Sequence, residues 1–279
     1  MSYRIYPDNL PTAYGQEKLN MLRQRAEGQI GEITERFASI LYPGIPVEAF
    51  HGFTAFSTGP KENTVDAVPS QPFHEIGLYQ VEAGPRNGAA PNANPNAEDN
   101  HWGLLHDREE VKLLLGRNAT MVHNAWKTAL EDQIAVGLVN LRYHAEGLER
   151  ALGHPFSADP ASTWWLWCAF TAFSRGDSKA ARVIARHWET LKNVDESSRW
   201  RRLRELVVDD IKNHHASSTG NVKSRSSYAL VRTEQKAESG FLLAQTLGGN
   251  SAWFASCYQG SADDKALEDK LSRNAGPPP

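Results

Sequence analysis

The chain has 279 residues, with 30 Lys+Arg against 33 Asp+Glu and a formal charge of −3. With 40% hydrophobic and 23% charged residues, it has an ordinary globular balance, which argues against wholesale disorder. The near-neutral charge excludes broad electrostatic binding of nucleic acid, and the two cysteines are too few for a disulfide framework or a zinc site. The length suits one large domain or two small ones.

The first residues, MSYRIYPDNLPTAYGQ, lack the basic and apolar regions of a secretory signal. No apolar run approaches the ~18 residues that a membrane span needs. The expectation is synthesis in the cytoplasm without a signal peptide, no membrane span, and delivery by a machine if the protein acts outside.

Helical periodicity dominates the chain. Residues 13–41 carry Leu19, Leu22, Ile30, Ile33, Phe37 and Leu41 among charges, which predicts a helix. Pro43-Gly44-Ile45-Pro46 stops it and starts another, over the apolar stretch 47–57. Residues 59–103 are rich in Pro, Gly and Asn, and 84–100 read as a low-complexity loop, too polar to pack. The strand signal is confined to 64–81, around the apolar island Ile76–Val81. Asp107 is placed to cap a helix through Leu113–Leu115, which Gly116 ends.

Leu130, Ile134, Leu138, Leu141, Ala145 and Leu148 recur at alternating steps of four and three, an amphipathic helix. Residues 155–160 are a linker. Residues 161–174 are apolar all round, so this helix is expected to be central and buried, with Cys168 a buried thiol. Asp177 is expected to cap a helix to Leu191. Further helices are expected over 195–215 and 228–247, with a frayed GPPP end. The Arg199–Arg204 run with Trp200 reads as a solvated helix face, offset by Glu205, Asp209 and Asp210.

The island His74-Glu75-Ile76-Gly77-Leu78-Tyr79-Gln80-Val81 carries the most chemistry. Gly77 permits close backbone approach, and Gln80 brings a donor and an acceptor. The segment resembles the G-L-M-Q motif of the lysozyme superfamily, which holds lytic transglycosylases, goose-type lysozymes and, more remotely, c-type lysozymes. Gln133 to Arg142 resembles the transglycosylase helix pattern N-I-x-x-G-x-x-Y-L. Ala169 to Gly176 resembles its A-x-A-Y-N-x-G segment, and Gly44-Ile45-Pro46 resembles the lead into its catalytic E-S-G. The resemblance covers roughly residues 44–190.

It implies a mainly α, lysozyme-like α+β fold: a helical bundle around a buried central helix with a small irregular β-region. The expected organisation is an N-terminal helical extension (1–43), a lysozyme-like domain (44–192) and a C-terminal helical extension (193–279) packed on it. The implied activity is cleavage of peptidoglycan glycan strands, muramidase or transglycosylase in type, without cofactor or metal. The implied partners are peptidoglycan glycan strands and a virion or injection apparatus.

Such chemistry needs a carboxylic acid with a raised pKa, and in hydrolases a second carboxylate about 5 to 9 Å away. The family's glutamate position falls near Ser57, and its Tyr-Asn pair on Phe173-Ser174, so both have lost the expected groups. Two carboxylates are candidates to replace the acid. Glu62 precedes Gln80 by 18 residues, an interval found in transglycosylases. Glu75 matches the second carboxylate of the c-type pattern T-D-Y-G-I-L-Q. Gln80, Tyr79 and Trp102 are the expected sugar contacts, Trp102 as a stacking platform. Glu238-Ser239-Gly240-Phe241 repeats the family's catalytic tetrapeptide far from its expected place, as chance or a local helix turn. The alternative is a lysozyme-like binding or structural module that has lost catalysis.

Overall fold

The computed structural model describes residues 12–54, 73–85, 87, 90–121, 128–215, 243–244 and 246–258. It is mainly helical with one two-stranded antiparallel sheet, as the periodicity predicts.

The predicted helix over 13–41 is two helices, α1 (Thr12–Glu27) and α2 (Gln29–Leu41), broken at Gly28. Gly28 adopts extended geometry (φ −108°, ψ −168°), which the unbroken apolar spacing did not reveal. Helix α3 (Val47–Thr54) is buried along its whole length after its first residue. Strands β1 (Phe73–Ile76) and β2 (Val81–Pro85) form a hairpin that runs past the predicted limit at residue 81. Their register pairs Ile76 with Val81 and Glu75 with Glu82, with a bulge between Phe73 and Glu75.

Residues 90–100 were expected to be unable to pack. They are instead pinned by asparagine. The Asn100 side chain accepts from Gly103 N (2.8 Å) and donates to Asn94 O (2.9 Å). The backbone of Asn92 donates to Ala83 O at 2.8 Å, tying this loop to β2. Side-chain bonds to the backbone replace a ladder here, which is why a polar segment can be ordered. The loop leads into α4 (His101–Leu105), a short helix not foreseen, and then α5 (Glu109–Leu115). The N-cap of α5 is Arg108, not the expected Asp107, and Gly116 ends the helix in the left-handed region (φ +69°).

Helix α6 (Leu130–Leu152) and helix α7 (Thr163–Arg175) form the centre. Trp164, Trp167, Cys168 and Phe170 of α7 are fully buried, as its all-apolar sequence requires. The free thiol of Cys168 is pushed well up by burial. Helices α8 (Asp177–Leu191), α9 (Glu196–His215) and α10 (Ser251–Tyr258) follow. One apolar core runs from Ile30 and Phe37 through the hairpin, α6 and α7 to Trp200 and Phe254. Residues of all three expected segments therefore share it. No helix among the described residues is long and apolar enough to cross a membrane.

Candidate acid–base site

The hairpin has two faces with different fates. Its tip, Gly77–Gln80, enters the core: Leu78 and Tyr79 are buried, and the Tyr79 ring stacks on Phe53 of α3 at 5.9 Å. Tyr79 also lies on the bare Cα of Gly137 in α6, where a Cβ would collide with its ring. Burial raises its phenol far above the usual range, and the hydroxyl has no hydrogen-bond partner among the described residues. Gly77 (φ +74°) and Gln80 (φ +54°) both occupy the left-handed region. The Gln80 side chain turns back on its own loop, its Nε2 donating to Gly77 O at 3.2 Å.

Alternation along the strands sends Glu75 and Glu82 to the other face, directly opposite one another. Both are half-buried. The Glu82 carboxyl makes no hydrogen bond or ion pair among the described residues. Its pKa is raised, first by burial, with Asp99 adding to the rise and His144 opposing it.

His144, on α6, is 7% exposed. Its Nδ1 lies 2.7 Å from Asp177 Oδ1, so the imidazole donates there and the carboxylate accepts. Asp177 is the first residue of α8, where the helix dipole favours a negative charge. Its Oδ2 lies against the Cα of Gly147, on α6 one turn beyond His144, where any Cβ would strike it. Asp177 was expected to act as a helix cap; its carboxylate serves a neighbouring helix instead.

His101, from α4, meets His144 edge-on at 5.0 Å between ring centroids. Burial, then the neighbouring His144, lower the His101 pKa to about 4, with Asp177 acting against them. Tyr143 (5.3 Å from His101) and Phe173 (5.1 Å from His144) complete the surround. Phe173 is the residue at the resemblance's Tyr position, and it walls this cluster. Among the described residues, no group of three or more His, Cys, Asp or Glu side chains is placed to hold a metal ion.

The site residues expected from sequence fare differently. Glu75 pairs with Glu82 on the hairpin, and Gln80 lies in the turn, bonded back to Gly77 O. Glu62 and Ser57 lie outside the described residues. Trp102 is corrected: it is not a loop platform but a fully buried residue of α4. Its Nε1 donates to Thr120 O at 3.1 Å, and no ring face is left to stack on a sugar. Glu82, His144, Asp177 and His101 were missed. Glu82 lay two residues beyond Gln80 and carried a signal in that proximity. The His144–Asp177 pair spans two helices, and nothing local marks it.

Comparison with family models, curated proteins and solved structures finds no match.

Proposed function

We propose that the chain cleaves glycan strands of the peptidoglycan type, between N-acetylmuramic acid and N-acetylglucosamine, with Glu82 as the general acid. The supporting observation is Glu82 itself: a half-buried carboxyl, without hydrogen bond or ion pair among the described residues, whose burial favours the protonated form. An acid that keeps its proton above the ordinary carboxylate range is what a glycosidic oxygen needs as it leaves.

Glu75 supplies the second charge. Register-paired residues on adjacent strands have Cβ atoms about 5 Å apart, so two glutamate side chains reach the carboxyl separations of glycosidases, about 5 to 9 Å. An ionised Glu75 stabilises the positive charge that grows at the anomeric carbon. Gln80 closes the turn between the same strands; its Nε2 is held by Gly77 O, which leaves the amide oxygen for the sugar.

The test is muropeptide release from purified sacculi. Wild-type release is expected, with a loss on the order of 10²- to 10⁴-fold in Glu82→Gln and a smaller loss in Glu75→Gln. Release unchanged in Glu82→Gln but abolished in Glu62→Gln would move the acid to Glu62.

One observation favours a second reading, a binding or structural module of a phage or injection apparatus. Two of the three expected sugar contacts, Tyr79 and Trp102, are core residues. Retention on sacculi without turnover supports this reading, and robust turnover ends it.

A further inference from the structure

A hydrolytic cut needs two proton movements. Glu82 supplies one; a second group must take a proton from the attacking water. Three observations converge on His144. Its Nδ1–H is committed to Asp177 at 2.7 Å, which leaves the Nε2 lone pair as the free end of the ring. Nε2 has no hydrogen-bond partner among the described residues, although the side chain is only 9% exposed. Asp177 sits at the first position of α8, where the helix dipole favours its charge, with Oδ2 in the space left by the missing Gly147 side chain.

The surroundings suit a proton acceptor. Glu82 of β2 lies within electrostatic range of His144 and of Asp99, from the loop before α4. His101 from α4 and Phe173 from α7 flank the ring, and Tyr143 beside it carries Arg150 at 5.9 Å over its own ring.

We propose that His144, oriented by Asp177, is the general base that activates water opposite Glu82. This rests on the glycan-cleaving reading above. In the step, the water oxygen bonds to the anomeric carbon while its proton passes to His144 Nε2. The bond from that carbon to the glycosidic oxygen breaks, and that oxygen takes the Glu82 proton. Glu82 is left as a carboxylate and His144 as an imidazolium paired with Asp177. Proton exchange with solvent restores both. His144 is the catalytic residue; Asp177 is a positioning residue that acts through it.

The experiment uses the full chain with sacculi as substrate, comparing wild type, His144→Gln and Asp177→Asn, each checked for native tryptophan fluorescence. Release is expected to fall about 10²-fold or more in His144→Gln and about tenfold or more in Asp177→Asn. The ¹⁵N spectrum of labelled histidine reports the tautomer: the proton sits on Nδ1 of His144 in wild type, and its placement becomes mixed in Asp177→Asn. Should His144→Gln not fold, Asp177→Asn decides on rate and tautomer together. Release within twofold of wild type in folded His144→Gln overturns the base role and leaves Glu82 standing as acid. Absence of release by wild type overturns both. An Nε2–H tautomer in wild type overturns the role of Asp177 and, with it, the proposed free lone pair.

Discussion

At the scale of single residues, three glycines decide how closely the site's parts approach. Gly137 receives the Tyr79 ring, Gly147 receives the Asp177 carboxylate, and a Cβ on Gly77 would stand 2.8 Å from Gln133 Cγ. Alanine in a helix interior is ordinarily worth about 1 kcal/mol over glycine. At Gly137 that gain is opposed by a clash with the root of a buried ring, which has nowhere to move; overpacking of this kind costs about 1–3 kcal/mol. Gly137→Ala is therefore expected to be net destabilising, read as a lower urea midpoint. At Gly147 the contact is the end of a side chain a quarter exposed, so Asp177 can swing away. Gly147→Ala is then expected to keep or raise stability while breaking the His144–Asp177 bond, seen as a changed histidine ¹⁵N tautomer signal.

Between elements, α6 is the spine to which the site is attached, and its own start is fastened by one carboxylate. Asp132, fully buried, accepts from Arg117 Nη2 at 2.7 Å and from Thr120 N at 2.9 Å. Arg117 is half-exposed and can return to water, so its loss of a partner costs little. Thr120 is exposed too, so what is lost is the bond of its N–H to a buried carboxylate, and a hydrogen bond to a charged group contributes about 1.5–3 kcal/mol. Asp132→Ala is expected to lose that much in urea unfolding, and Asp132→Asn, which keeps one acceptor, less. The same contrast explains what the sequence made legible. The lengths and burial of α6 and α7 follow from apolar spacing, because a helix face is a local pattern. The break at Gly28 was invisible, since apolar spacing continues through it. The loop over 90–100 looked unpackable because composition does not say which asparagine meets which backbone group. Glu75 and Gln80 stood out in the sequence because their chemistry lies in one short run. The His144–Asp177–His101 cluster exists only once α4, α6 and α8 have packed.

For the molecule as a whole, the buried ionisable groups set how stability responds to acid. His51, 2% exposed in α3, has a pKa lowered to about 4 by burial and then by the Arg25 charge, and His101 is lowered to about 4 as well. Both are neutral in the fold near neutral pH and take up a proton once unfolded below about pH 6.5. Between pH 6.5 and 4 the unfolded chain thus binds more protons, and stability falls as pH falls through that window. Each histidine contributes on the order of 3 kcal/mol over the full window. Glu82 acts with the opposite sign. Its raised pKa means the fold binds the extra proton, so its contribution is present in acid and is lost as pH rises above its ordinary range. Two histidines act against one carboxyl, and a typical domain has only about 5–15 kcal/mol of stability to lose. Urea unfolding followed by tryptophan fluorescence is therefore expected to show a large loss between pH 7 and pH 4.5. His51→Gln, which cannot charge, should flatten that slope by roughly half its histidine part. Glu82→Gln should steepen it, because the opposing contribution is gone. A slope left unchanged by His51→Gln would mean that the acid response arises elsewhere than at this buried imidazole.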